Sequence, residues 1–132
     1  MTTPTVVNFD GRTRPDNPDP SAIGNIVETD DWTEERSEGI GESTNNRTEY
    51  RALIQGLELA SEKGCTEVEA RGDSEVIVKQ VRCEYGVKQP ELRPLRNRVQ
   101  DLSAEFWLFC IPPLPSHATR LAVSLVERAF SD

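Results

Sequence analysis

Three acids in this chain of 132 residues stand where the local sequence pattern changes. Asp10 follows the β-prone residues Val6, Val7 and Phe9 and precedes Gly11. Glu49 lies near the start of a strongly helical stretch. Asp73 follows Gly72 where an alternating segment gives way to an apolar helical one. Each has an ordinary structural account: a turn residue for Asp10, a capping-box partner of Asn46 for Glu49, and a helix N-cap for Asp73. Together they allow another. Sites in sheets with parallel strands form beyond the strand ends. If the strands carrying Asp10 and Asp73 are neighbours, those two acids converge and the first turn of the intervening helix can bring Glu49 to the same point. Three carboxylates held together repel unless hard cations neutralise them. Oxygen ligands of this kind suit Mg²⁺ or Mn²⁺. Two such ions ~3.5–4 Å apart can activate a water and stabilise the leaving oxygen of a phosphodiester.

The elements that must position these acids follow from periodicity. Val6 to Phe9 reads as a strand stopping at Asp10-Gly11, and Arg12 to Ser21, with Pro15, Pro18 and Pro20, as a rigid loop. Ile23 to Val27 and Trp32 to Ile40 read as two further strands of a meander. Thr44 to Lys63 is the clearest helix, with Tyr50, Leu53, Ile54, Leu57 and Ala60 at helical spacing and Gly64 as the stop. Val68 and Ala70 alternate with polar neighbours in a strand ending at Gly72-Asp73. Ser74 to Val81 is a short helix and Glu91 to Glu105 a longer one. Phe106 to Ile111 reads as a buried strand because its apolar run is continuous, and Ser116 to Phe130 as a last helix. The order β-β-β-α-β-α-α-β-α predicts an α/β fold with a five-stranded mixed sheet covered by helices, in a single domain over residues 1–132.

Composition bounds the rest. No apolar run approaches the ~20 residues of a membrane span, and Met1 to Val7 lacks the basic and apolar regions of a signal peptide. Cys65, Cys83 and Cys110 are odd in number and widely spaced, as free thiols of a reducing cytoplasm would be. A cytoplasmic protein without membrane association, and a monomer, is expected. The net charge is −8 and the isoelectric point about 4.7, the wrong sign for simple nucleic-acid binding. Either the partner is not nucleic acid, or a local site overrides the global field. A third alternative is a high-salt host, since Lys63, Lys79 and Lys88 are the only lysines and screening would relieve the self-repulsion of an acidic surface.

The motifs resemble those of ribonuclease HI proteins across almost the whole chain. Phe9-Asp10-Gly11, Asn17-Pro18-Asp19-Pro20 and Ile23-Gly24 resemble the opening of that family. Thr44-Asn45-Asn46-Arg47-Thr48-Glu49-Tyr50 is very similar to its helix motif, and Gly72-Asp73-Ser74 to its third motif. Glu84 to Leu95 resembles the archaeal and short bacterial branch, which lacks a basic handle helix. Ala118-Thr119-Arg120-Leu121-Ala122 resembles the final helix motif. The resemblance implies a ribonuclease H-like fold, an RNA/DNA hybrid as partner, and cleavage of its RNA strand by a mechanism using two Mg²⁺ or Mn²⁺ ions. It implies 5′-phosphate and 3′-hydroxyl products. Asp10, Glu49 and Asp73 match the first three acids of the family's four-carboxylate site. Asn17, Asn46 and Glu75 match minor-groove contacts within the motifs that also hold Asn45, while Thr44 and Ser74 match positions near the nucleic-acid backbone. An A-like minor groove displays 2′-hydroxyls that short polar side chains can read.

The departures are specific. Thr119 stands at the position of the fourth acid. The Pro112 to His117 loop is about one residue short, and His117, outside the position of the family's mobile histidine, reads as a surface residue. Arg12, Pro15 and Asp19 stand where the family often has glycine, and Glu75 stands for the usual Gln. These changes leave open a weakened enzyme, or an inactive protein that binds a hybrid or RNA. A DNA-cutting or strand-transfer member of the same fold is the more distant alternative.

Overall fold

The computed structural model describes residues 4–13 and 20–113. Pro15, Asn17, Asp19, His117, Thr119 and the helix expected over Ser116 to Phe130 lie outside them.

Five strands form one sheet: β1 (Thr5–Thr13), β2 (Pro20–Glu28), β3 (Thr33–Glu42), β4 (Glu67–Arg71) and β5 (Leu108–Cys110), in the order β3-β2-β1-β4-β5. The first three are antiparallel, and β4 and β5 add in parallel to β1. Among the described residues the helices are α1 (Asn45–Glu62), α2 (Glu75–Val81) and α3 (Arg93–Ser103), with a 3₁₀ turn at Pro90–Leu92 before α3. This is the expected α/β architecture with a mixed sheet.

Local chemistry accounts for the joints. The turn from β2 to β3 is closed by the Thr29 hydroxyl, which accepts the backbone N–H groups of Asp31 (3.1 Å) and Trp32 (3.0 Å). Helix α1 ends where Gly64 takes a left-handed φ of 77°. There the Cys65 N–H donates to the Ala60 carbonyl and the Gly64 N–H to that of Ser61, which satisfies two of the last helix carbonyls. The core lies between one sheet face and the helices. Val7, Phe9, Ile23, Val27 and Val68 meet Tyr50, Leu53 and Leu57 of α1 and Val99 and Leu102 of α3. Burying each such side chain contributes about 1.5–3 kcal/mol. Within this core the Tyr50 hydroxyl donates to the Gln80 amide oxygen at 2.6 Å, tying α1 to α2. Burial keeps that hydroxyl protonated, its pKa pushed up to about 12.

Two boundaries differ from expectation. Strand β1 does not stop at Asp10-Gly11. It runs on to Thr13 because β2 keeps pairing with it, Asp10 opposite Gly24 and Thr13 opposite Ser21. Arg12, Thr13, Pro20 and Ser21, expected in the loop, are therefore strand residues. Strand β5 is short and only partly buried. It occupies the sheet edge, and Trp107 and Leu108 are 80% and 53% exposed. Its continuous apolar run reflects the buried ends Phe106 and Ile111 rather than two covered faces.

Candidate metal centre

The register of the two central parallel strands brings the acids together. Their last pairs are Val7 with Ala70 and Asn8 with Arg71. Two residues further along each chain stand Asp10 and Asp73, level with each other past the end of β4. Helix α1 crosses β1 at this point with almost no gap. A Cβ on Gly11 would lie 2.5 Å from the Thr48 carbonyl carbon and 2.7 Å from the Glu49 nitrogen. Only glycine permits that approach, and it delivers Glu49 to the strand. Asp10, Glu49 and Asp73 each offer an oxygen, all within 4.8 Å of one another.

The ordinary accounts of these acids do not hold. Asp10 is inside a strand, not a turn. Thr44 caps α1, its hydroxyl accepting the Arg47 N–H at 3.3 Å, so Glu49 sits in the second turn rather than the first and has no part in the cap. Ser74 caps α2 by accepting the Ile77 N–H, which leaves Asp73 outside the cap.

The electrostatics are unfavourable without a cation. Asp10 and Glu49 are buried and Asp73 is exposed. Burial pushes the Glu49 carboxyl well above its ordinary range, and the charges of Asp10 and Asp73 push it the same way, against a hydrogen bond from Gly11. Burial also raises Asp10, helped by Asp73 and opposed by Glu49 and Arg12. Glu49 Oε2 is buried with no hydrogen-bond partner. A buried, unsatisfied carboxylate oxygen facing two more acids is costly, and it is a donor set that fits a hard divalent ion.

A cleft of about 380 Å³ opens on the three acids and is also lined by Arg12, Thr13, Asn45, Asn46 and Ser74. A second cavity of about 600 Å³ adjoins it through Asn46 and is lined by Gln80, Tyr85 and Lys88 among others. The expected residues Asn45, Asn46 and Ser74 thus surround the acids. Thr44 and Glu75 do not line this cleft. Thr44 is taken up in the helix cap, and Glu75 turns along α2 to pair with Lys79 at 2.7 Å. Asn45 has a structural task as well: its Oδ1 accepts the Thr13 N–H at 2.9 Å. The Thr13 hydroxyl donates to the Ser43 carbonyl at 3.0 Å, and the Thr48 hydroxyl to that of Thr44 at 2.6 Å. This network pins the start of α1 to the end of β1. Neither it nor the pairing of Arg12 with Asp10 (3.3 Å) was apparent from sequence, since periodicity carries no signal for long-range polar contacts.

Residues 8–129 match a family model described as reverse transcriptase-like. The structure also superposes on ribonuclease H1 from the halophilic archaeon Halobacterium salinarum with a TM-score of 0.90 at 34% identity, covering 98% of this chain and 99% of that one. This chain belongs to the ribonuclease HI family. A second family structure, LC11 ribonuclease H1 in complex with an RNA/DNA hybrid, matches at a TM-score of 0.85 and 33% identity over 96% of each chain. Among curated relatives, Halobacterium salinarum ribonuclease HI is 36% identical over 126 residues, which are 94% of this chain and 63% of that protein. A bifunctional protein of Mycobacterium tuberculosis is 38% identical in an alignment 131 positions long that covers 94% of this chain and 36% of that protein. The chain therefore spans less than two thirds of the length of these two curated relatives.

Proposed function

We propose that this ribonuclease HI family member is an endoribonuclease that cuts the RNA strand of RNA/DNA hybrids, using divalent cations held by Asp10, Glu49 and Asp73. The observation that carries this reading is the orphaned Glu49 Oε2 beside two further carboxylates at the floor of a polar cleft. The hybrid bound by a relative that matches over 96% of each chain supports the substrate class. Asp10, placed between the end of β4 and α1, would be shared by two cations, with Glu49 and Asp73 each completing one. When bound, Mg²⁺ or Mn²⁺ ions polarise the phosphodiester and make water a competent nucleophile at neutral pH. Asn45, Asn46 and Ser74, on the rim of the cleft, offer amide and hydroxyl groups to the sugar edges and phosphates of a hybrid. Asn17 and Glu75 are proposed to extend this groove, and Thr44 to act near the backbone. Thr119 replaces a fourth acid, so Mn²⁺, which binds a given site more tightly than Mg²⁺, is expected to support faster cleavage.

The missing fourth acid also favours a second reading, a protein that binds the hybrid without cutting it. One experiment separates the two: a 5′-labelled hybrid, and the same sequence as duplex DNA, incubated with the protein across Mg²⁺ and Mn²⁺ concentrations and at several salt concentrations. Metal-dependent cuts within the RNA strand alone support the enzyme. Binding without cuts supports the second reading, and cuts in the DNA duplex would overturn both. We further propose one domain, supported by the single family model over residues 8–129, acting as a cytoplasmic monomer. Among the described residues, no helix is long and apolar enough to cross a membrane.

A further inference from the structure

Arg12 is the only cation among the described residues that line the cleft. Strand alternation puts it on the same face of β1 as Asp10, two residues earlier. Its Nε lies 3.3 Å from Asp10 Oδ2, while the arginine side chain stays 47% exposed and Asp10 only 2%. The guanidinium therefore reaches in from solvent to occupy a lone pair on the deepest acid of the cluster. Arginine cannot discharge by losing a proton, so Asp10 Oδ2 cannot ligate a divalent ion while that contact stands without setting two positive charges side by side.

We propose that Arg12 is a built-in counter-ion of Asp10, a positioning residue that neutralises the carboxylate cluster when divalent ions are scarce and must swing out for the site to load. This rests on the reading of Asp10, Glu49 and Asp73 as metal ligands. Arg12 sets the ion concentration at which the protein becomes competent, and it makes loading a competition between an internal and an external cation. Metal-free protein is stabilised by the pair, and part of that stabilisation is lost on loading.

The test is Mn²⁺ binding measured by calorimetry on the full chain without nucleic acid, for the wild type, Arg12→Gln, Arg12→Lys and Asp10→Asn. Arg12→Gln is expected to bind Mn²⁺ about fivefold more tightly, the fold-change that a half-exposed ion pair corresponds to. Its metal-free form is expected to melt lower than wild type, with a larger rise on adding Mn²⁺. Arg12→Lys, which keeps the charge, is expected to return affinity towards wild type, a rescue that a merely structural role would not give. If Arg12→Gln is folded and binds Mn²⁺ no more tightly than wild type while Asp10→Asn loses binding, the proposal for Arg12 falls and the metal site stands. If wild type and Arg12→Gln both fail to bind Mn²⁺, the metal site falls and the proposal with it. Should Arg12→Gln not fold, Arg12→Ala is measured in its place: it is expected to bind Mn²⁺ about fivefold more tightly than wild type, and unchanged affinity overturns the proposal.

Discussion

Glu49 shows what the site demands of single residues. Its carboxylate is buried among acids, and its raised pKa means that the folded protein holds a proton there more tightly than the unfolded chain does. The sign follows. This group favours the metal-free fold below the ordinary carboxylate range, and that contribution is lost as pH rises through the raised value. Above it, the site works against stability. Glu49→Gln is therefore expected to raise the melting temperature of the protein in chelator at neutral pH by about 2–8 °C, the shift that 1 kcal/mol produces in chains of this size range. It should also flatten the fall in stability between weakly acidic and neutral pH. Thermal unfolding across that range checks both, and a lower melting temperature for the variant would count against the charge cluster. From the frame Ala118-x-x-Leu121-Ala122 we propose that Thr119 stands at the position of the family's fourth acid. Thr119→Asp is expected to raise cleavage in Mg²⁺ more than in Mn²⁺, because the weaker-binding ion gains most from another charged ligand. Steady-state rates with one hybrid substrate measure this. The three acids were legible in the sequence because each stood at a change of periodicity. Arg12 was legible only as an absent glycine, since a two-residue ion pair across a strand leaves no pattern.

Elements carry the geometry through one contact. Helix α1 touches β1 so closely at Gly11 that any side chain there must displace backbone atoms of Thr48, and backbone yields far less readily than a flexible side-chain end. Gly11→Ala is expected to cost about 1–3 kcal/mol, the usual effect of overpacking, and to weaken Mn²⁺ binding by moving Glu49 away from Asp10. Denaturant unfolding and calorimetry measure the two effects. Stability lost with unchanged metal affinity would show that the crossing does not position Glu49. Helix α1 was visible in full from its apolar spacing, to within its caps at Thr44 and Lys63. Strand ends were not, because the length of β1 is decided by how far β2 pairs with it, and a Gly after an Asp looks the same in a turn and at a close helix crossing. The status of β5 was hidden for a similar reason. Apolar runs report hydrophobicity, while burial depends on where the strand falls in the sheet order.

The whole molecule is acidic, with a net charge of −8, and many of its described cations are already committed to acids. Arg36 pairs with Glu34, Arg71 with Glu69, Lys79 with Glu75, and Arg82 with Glu84. These partly exposed pairs contribute little each, so the balance at low salt is self-repulsion. Stability is expected to rise from low salt to molar potassium chloride, where the Debye length falls to ~3 Å. Hybrid affinity is expected to fall over the same range as counterion release loses its advantage. Melting curves and binding isotherms at matched salt separate the two, and a melting temperature that stays flat would remove the argument for a high-salt setting. At this scale composition pointed away from nucleic acid, and it did so because a net charge averages over a surface while chemistry depends on one cleft. The carboxylates that make the global charge unfavourable are, at the cleft, the groups that would recruit cations to a phosphodiester.

The most direct measurement compares wild type with Asp10→Asn on a hybrid whose RNA strand is labelled, in Mn²⁺, with circular dichroism to show that both are folded. Internal RNA cuts ending in 5′-phosphate and 3′-hydroxyl, present in the wild type and absent in Asp10→Asn, are the expected result. Undiminished cutting by the folded variant would contradict the assignment of the site, and a folded wild type that binds the hybrid without cutting it in any divalent metal would contradict the enzyme.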